Sequence, residues 1–156
     1  MPIYEVVLKK VDPQWVAAIH RVIPTYGDTG QVFREVFAHL AGHQVKPAGP
    51  QVAIDYDTEF RERDVDVEVA IPVASSTPSG EHVAVHQLPG IDLAACVVYQ
   101  GAYTTIGDAY TVLMQWIEAN GYRIAGPNRE VYLRGPESGP IVSSYTTEVQ
   151  FPVEKA

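Results

Sequence analysis

Cysteine is almost missing from this chain. A single residue, Cys96, stands among 156, so no internal disulfide framework staples the fold, and a reducing, cytoplasmic setting is expected. Long hydrophobic runs are missing too: no apolar stretch approaches the roughly 20 residues that cross a bilayer. The opening Met-Pro-Ile-Tyr-Glu-Val-Val-Leu-Lys-Lys lacks the order of a signal peptide. A membrane partner is therefore not expected. Basic charge is scarce, with 11 Lys and Arg against 19 Asp and Glu, and the net charge of -8 repels phosphate backbones. Direct nucleic-acid binding is disfavoured, whereas cationic ligands are favoured through the long-range field.

Catalytic and metal fingerprints are equally thin. The Gly-Pro turns match no phosphate-binding loop, and no Ser sits in a Gly-x-Ser-x-Gly elbow. His39 and His43 have i, i+4 spacing, but they fall at a helix C-terminus without an acidic third ligand, and His82 and His86 fall on a strand. No metal and no cofactor is expected. Cys96, inside Ala-Ala-Cys-Val-Val, reads as inert core.

What is present is an internal repeat of about 80 residues. Gly27-Asp28 recurs as Gly107-Asp108, and Val32-Phe33 with Val36-Phe37 recurs as Val112-Leu113 with Trp116-Ile117. Gly49-Pro50-Gln-Val-Ala-Ile-Asp-Tyr aligns with Gly126-Pro127-Asn-Arg-Glu-Val-Tyr-Leu, and Glu68-Val-Ala-Ile-Pro-Val aligns with Glu148-Val-Gln-Phe-Pro-Val. The chain reads as one domain over 1–156, with repeats at 1–73 and 82–153 and a linker at 74–81. In the first repeat, strands are expected at about 3–9, 15–22, 52–56 and 65–73, with Val11-Asp12-Pro13 turning between the first two. Its helix spans about 29–41, capped by Asp28 or Thr25 and stopped at Gly42. In the second repeat, strands are expected at about 82–87 and 93–100. A helix follows at about 106–119, with Thr105 and Asp108 suited to a capping box and Gly121 ending it. Duplicated β-β-α-β-β units predict an α+β fold: eight mostly antiparallel strands, two helices and a pseudo-twofold between the halves.

The stretch from Gly121 to Val153 closes the second repeat as a hairpin and carries most of the chemistry. Alternation puts Glu130 and Tyr132 on one face, and a pairing of Leu133 with Val142 would place Glu130 opposite Tyr145. The repeat sets Ala53 at the position equivalent to Glu130, so the fold itself does not call for a carboxylate there. A buried Glu costs several kcal/mol unless it is paired, hydrogen-bonded or neutralised. Glu68 and Glu148, kept in both repeats, read as structural, pairing with Arg129 or capping a backbone group. Nine tyrosines form the second signal, because aromatic faces bind flat or cationic ligands and phenols can hold a carboxylate. Tyr99, Tyr103, Tyr110, Tyr132 and Tyr145 belong to the second repeat, Tyr26 and Tyr56 to the first. Trp116 joins the candidates as an aromatic, although its place on the apolar helix stripe favours packing.

The order Gly-Tyr-Arg-Ile-Ala-Gly-Pro-Asn-Arg-Glu-Val-Tyr-Leu, then Tyr-Thr-Thr-Glu-Val-Gln-Phe-Pro-Val, resembles the end of the GyrI-like effector-binding domains. These include ligand domains of MerR- and AraC-type multidrug-sensing regulators and stand-alone proteins. The resemblance implies a pocket near the pseudo-twofold for large aromatic, often cationic, compounds. A strand glutamate there meets the ligand's charge while tyrosines stack on its rings. Glu130 falls on that glutamate's place, Tyr145 on a pocket tyrosine and Tyr132 on a pocket-lining position. No helix-turn-helix precedes Met1, so a stand-alone role is expected: binding a hydrophobic, cationic small molecule in drug or toxin recognition or sequestration. The enzymatic alternative is hydrolysis of an electrophilic, cyclopropane-bearing aromatic, with Glu130 as catalytic general base. A protein-interaction role, such as gyrase inhibition, is a third reading without support in particular residues.

Overall fold

The computed structural model describes residues 4–57, 61–135, 139 and 141–156. Ile3, expected to open the first strand, and turn residues 136–138 and 140 lie outside them. Among the described residues are nine strands and two α-helices. They run β1 (Val7–Val11), β2 (Gln14–Ile23), α1 (Thr29–Gly42), β3 (Gln51–Asp55), β4 (Val65–Pro72) and β5 (Ala84–Leu88). There follow β6 (Ile91–Gln100), α2 (Gly107–Ala119), β7 (Tyr122–Ile124), β8 (Asn128–Arg134) and β9 (Thr146–Lys155). Each described strand pairing is antiparallel, and the fold is α+β. The strand beyond the eight expected is β7, which splits from β8 where Gly126-Pro127 interrupts the ladder, proline having no N–H to donate.

The chain forms two compact units, Pro13–Pro89 and the stretch ending at Asp12 together with Gly90–Ala156. In the latter, β6 lies between β1 and β9, β8 takes the other edge of β9 at residues 146–150, and β7 takes it at residues 153–155. In the former, β4 lies between β3 and β2, and β5 borders β2. β1 thus pairs with β6 and β5 with β2, so the first strand of each expected repeat lies in the unit that holds the rest of the other. Asp12-Pro13 makes no hairpin, because proline fixes its own φ and holds the preceding residue extended. The two later hairpins share one register. Ile54 faces Glu68 across β3 and β4, and Val131 faces Glu148 across β8 and β9.

Each helix buries the stripe that the sequence sets at helical spacing. Val32, Phe33, Val36 and Leu40 are buried on α1. On α2, Ala109, Leu113 and Ile117 pack against Ala95, Val97, Tyr99, Val149, Phe151 and Val153 of β6 and β9. Burying Leu113 alone is worth about 1.5–3 kcal/mol. At the start of α1, Asp28 Oδ2 accepts from the N–H and the hydroxyl of Thr25, both at 3.0 Å. The Thr105–Asp108 box does not form, since the Thr105 hydroxyl is taken by the Ala102 carbonyl and by Tyr99. Gly121 ends α2 with φ +79°, but Gly42 remains helical and the left-handed residue after α1 is Gln44, at φ 57°. The stretch at 74–81 is mostly exposed but is anchored at two points. Thr77 is buried, and Gly80 passes so near His39 that a Cβ there would meet the ring at 2.7 Å.

Candidate ligand site on strand β8

Strand alternation puts Asn128, Glu130 and Tyr132 on one face of β8. Glu130 is paired with Val149 and Tyr132 with Thr147, and Val149 belongs to the core beneath α2, so this face looks toward the helix. Tyr110, one turn into α2, reaches across. Its hydroxyl donates a short hydrogen bond to Glu130 Oε2, while the Tyr132 hydroxyl donates to Oε1 at 2.9 Å. Asn128 Nδ2 donates to the Tyr110 oxygen at 3.0 Å. The Tyr110 ring stands edge-on to Phe151, centroids 5.8 Å apart, which fixes the phenol's approach. Glu130 is half-buried with a phenol on each carboxylate oxygen. Burial pushes the Tyr132 phenol well above its ordinary pKa, and the Glu130 charge and hydrogen bond add to the rise, so Tyr132 remains a proton donor.

A wall of rings adjoins the carboxylate. Tyr103 sits in the single 3-10 turn Tyr103–Thr105 ahead of α2. It meets Tyr132 edge-on at 5.7 Å and Tyr145 at 5.4 Å. Tyr145 is buried, whereas Tyr103 is 39% exposed and forms the outer ring. Gly101 ties this arrangement together. Its N–H donates to the Tyr145 carbonyl at 2.8 Å, and its φ of +147° suits glycine. A Cβ at Gly101 would lie 2.7 Å from the Tyr99 hydroxyl.

Of the residues singled out in the sequence, Glu130, Tyr132, Tyr110, Tyr103 and Tyr145 are linked by these contacts. The pairing of Leu133 with Val142 does not occur. Glu130 faces Val149, because the connection between β8 and β9 extends to Tyr145 and holds a 3-10 turn at Val142–Ser144. Tyr145 joins the group through Tyr103. Tyr99 is core: it is 4% exposed, and its hydroxyl donates to the Ala102 carbonyl at 2.7 Å. Trp116 stacks on Tyr122 at 6.0 Å. Tyr26 and Tyr56 lie in the other unit, donating to Asp55 at 2.9 Å and to Glu68 at 2.6 Å. Glu148 accepts from Lys9 at 2.8 Å and from Gln150 at 2.6 Å. Sequence reasoning passed over Asn128, although its period-2 spacing from Glu130 and Tyr132 was the signal.

Other features of the described residues supply little chemistry. No group of three or more His, Cys, Asp and Glu is placed to hold a metal ion. His39 Nε2 lies 2.7 Å from the Pro78 carbonyl oxygen. Burial pushes the Cys96 thiol up to about 12, which keeps it unreactive. A groove of about 300 Å³ between α2 and β7 is lined by Met114, Ile117, Tyr122 and Ile124 and is separate from the Glu130 group. Among the described residues, no helix is long and apolar enough to cross a membrane.

The model of the GyrI-like small molecule binding domain matches residues 4–154. The chain belongs to this family. Among solved structures, the GyrI-like chain is similar to the C-terminal domain of EcmrR, with a TM-score of 0.91 and 25% identity over 99% of this chain and 100% of that one. It is likewise similar to EcmrR in its DNA complex, at a TM-score of 0.90 and 25% identity over 98% of this chain. There it spans only 58% of the EcmrR chain's length. SAV2435 bound to tetraphenylphosphonium matches at a TM-score of 0.56 and 14% identity, over 96% of this chain and 94% of that one, which speaks for the fold alone. No curated protein matches the sequence.

Proposed function

We propose that this GyrI-like domain binds hydrophobic aromatic cations, in drug or toxin recognition or sequestration, at the Glu130 group. The observation that carries the reading is the Glu130 carboxylate, held by a phenol proton on each oxygen beside a wall of tyrosine rings. Phenol donors hold the carboxylate while leaving its charge uncancelled. That charge, partly withdrawn from water, attracts a cation more strongly than an exposed carboxylate does. The faces of Tyr103 and Tyr132 add cation–π attraction and apolar area. The net charge of -8 acts in the same direction at long range. The tetraphenylphosphonium held by SAV2435 is a lipophilic cation of this kind and makes a suitable probe.

Hydrolysis at the same site would require Glu130 to take a proton from water. Both of its oxygens already accept a phenol proton, so a water would have to share an oxygen with a phenol. The test is calorimetric titration with tetraphenylphosphonium and with neutral triphenylphosphine oxide. Glu130→Gln keeps the shape and removes the charge, so cation affinity should fall by about 1–3 kcal/mol while the oxide changes far less. Equal losses for both ligands would mean that Glu130 shapes the site without reading charge.

A further inference from the structure

We infer that Asn128 is a positioning residue of this site: by donating to the Tyr110 oxygen, it commits the Tyr110 proton to Glu130 and thereby sets the preference for cations over neutral ligands. A phenol has one proton to give and lone pairs to receive with, whereas an amide NH2 can only donate. With Asn128 Nδ2 at 3.0 Å on the Tyr110 oxygen, the hydroxyl proton is directed away from Asn128 and onto Glu130 Oε2. The chain Asn128 to Tyr110 to Glu130 therefore has a single sense. Each donor withdraws electron density from the next, so the amide makes Tyr110 a stronger donor than a lone phenol. Tyr132 reaches the other carboxylate oxygen at 2.9 Å, so with Tyr110 held each side of the anion carries a phenol donor.

The placement of Asn128 follows from the strand. It is the first residue of β8, on the face of Glu130 and Tyr132 and two residues before the carboxylate, so the period of the strand sets it beneath Tyr110 on α2. The equivalent position in the other repeat is Gln51, followed by Ala53 in place of the carboxylate. The amide on β8 therefore belongs to an arrangement that only one repeat completes.

The ligand consequence of this inference rests on the cation-binding reading, and the internal relay does not. Tetraphenylphosphonium and triphenylphosphine oxide are titrated into wild type, Asn128→Ala, Asn128→Leu, Tyr110→Phe and the Tyr110→Phe/Asn128→Ala double variant. Both Asn128 variants should lose about three- to tenfold in cation affinity, the scale of one net hydrogen bond, with the oxide unchanged. In the Tyr110→Phe background the Asn128 change should cost less than about twofold, because its route to Glu130 is gone. Equal losses for the two ligands, a loss that persists without the Tyr110 hydroxyl, or wild-type affinity in Asn128→Leu would each overturn the inference. A carbon-13 measurement on the ligand-free protein judges the relay separately. The Glu130 carboxylate resonance, assigned by its disappearance in Glu130→Gln, should move in Asn128→Ala and stay put between Tyr110→Phe and the double variant. A wild type that binds no cation would end the functional reading, and a Glu130 resonance unmoved in Asn128→Ala would end the relay.

Discussion

Glu130 on β8 and Glu68 on β4 are both withdrawn from water, and each receives two donors, yet they answer to different demands. Glu68 is 5% exposed and accepts from Tyr56 while His86 Nε2 lies on its other oxygen, both at 2.6 Å. It faces Ile54 across the hairpin, and Glu148 stands in the same register opposite Val131. Glu130 faces Val149, and the matching position facing Val69 is Ala53. A carboxylate found in both hairpins belongs to the way the sheet is built. One found in a single hairpin, on the helix side and beside the exposed ring of Tyr103, is not demanded by the sheet, and it is the one proposed to meet a ligand.

The largest expected effect tests the wall behind Glu130. Leu113 is fully buried on α2, in the core that includes Val149 and carries Tyr110 toward the carboxylate. Leu113→Ala should destabilise the protein by about 2–5 kcal/mol, read from chemical denaturation. An unchanged midpoint would mean that helix packing does not position Tyr110. Next comes the contrast between the carboxylates. Glu68→Gln keeps an acceptor for Tyr56 but removes the charge beside His86, and should cost about 1–3 kcal/mol of stability. Glu130→Gln should cost less than about 1 kcal/mol of stability, its main effect appearing in cation affinity. Similar stability losses for the two would erase the distinction between them.

Much of this contrast was legible in the sequence. The alternation Glu130-Val131-Tyr132 fixes the shared face, and the alignment of Ala53 with Glu130 marks the carboxylate as dispensable to the sheet. Helical stripes on both helices likewise follow from spacing alone. Partner choice among strands did not. β1 lies on β6 because the Asp12-Pro13 link cannot turn back as a hairpin, and that pairing joins residues as distant as Val7 and Cys96, which local pattern does not couple. The register opposite Glu130 was missed for a related reason: the Gly- and Pro-rich connection to β9 contains a 3-10 turn at Val142–Ser144, where the expected register needed Val142 opposite Leu133. Asn128 was hidden because a polar residue at the start of a strand has many ordinary uses, and only the Tyr110 oxygen beside it gives this one a purpose.

A smaller effect separates rings from charge. Tyr103 is the outer ring and lies edge-on to Tyr132. Tyr103→Ala should weaken tetraphenylphosphonium and triphenylphosphine oxide alike, by about 0.5–1.5 kcal/mol each, because it removes aromatic area and leaves the anion in place. A loss confined to the cation would reassign Tyr103 from packing against rings to steering charge.

The smallest expected effect comes from trying to build the site in the other hairpin. Ala53→Glu would set a carboxylate opposite Val69, two residues before Asp55 and on the same face. Asp55 stands where the repeat places Tyr132, and its carboxylate already accepts from Tyr26 at 2.9 Å and from the Asp57 N–H at 3.0 Å. Burial holds the Asp55 carboxyl above the usual range, so charging it is already unfavourable. A neighbouring glutamate would add like charge, and the Tyr26 hydroxyl is directed at Asp55. In a Glu130→Gln background, Ala53→Glu should therefore restore tetraphenylphosphonium affinity by less than about twofold, or about 0.4 kcal/mol. Full recovery would show that a bare carboxylate on a β-hairpin is enough to capture the cation. The phenols around Glu130, and Asn128 behind them, would then have no part in recognition.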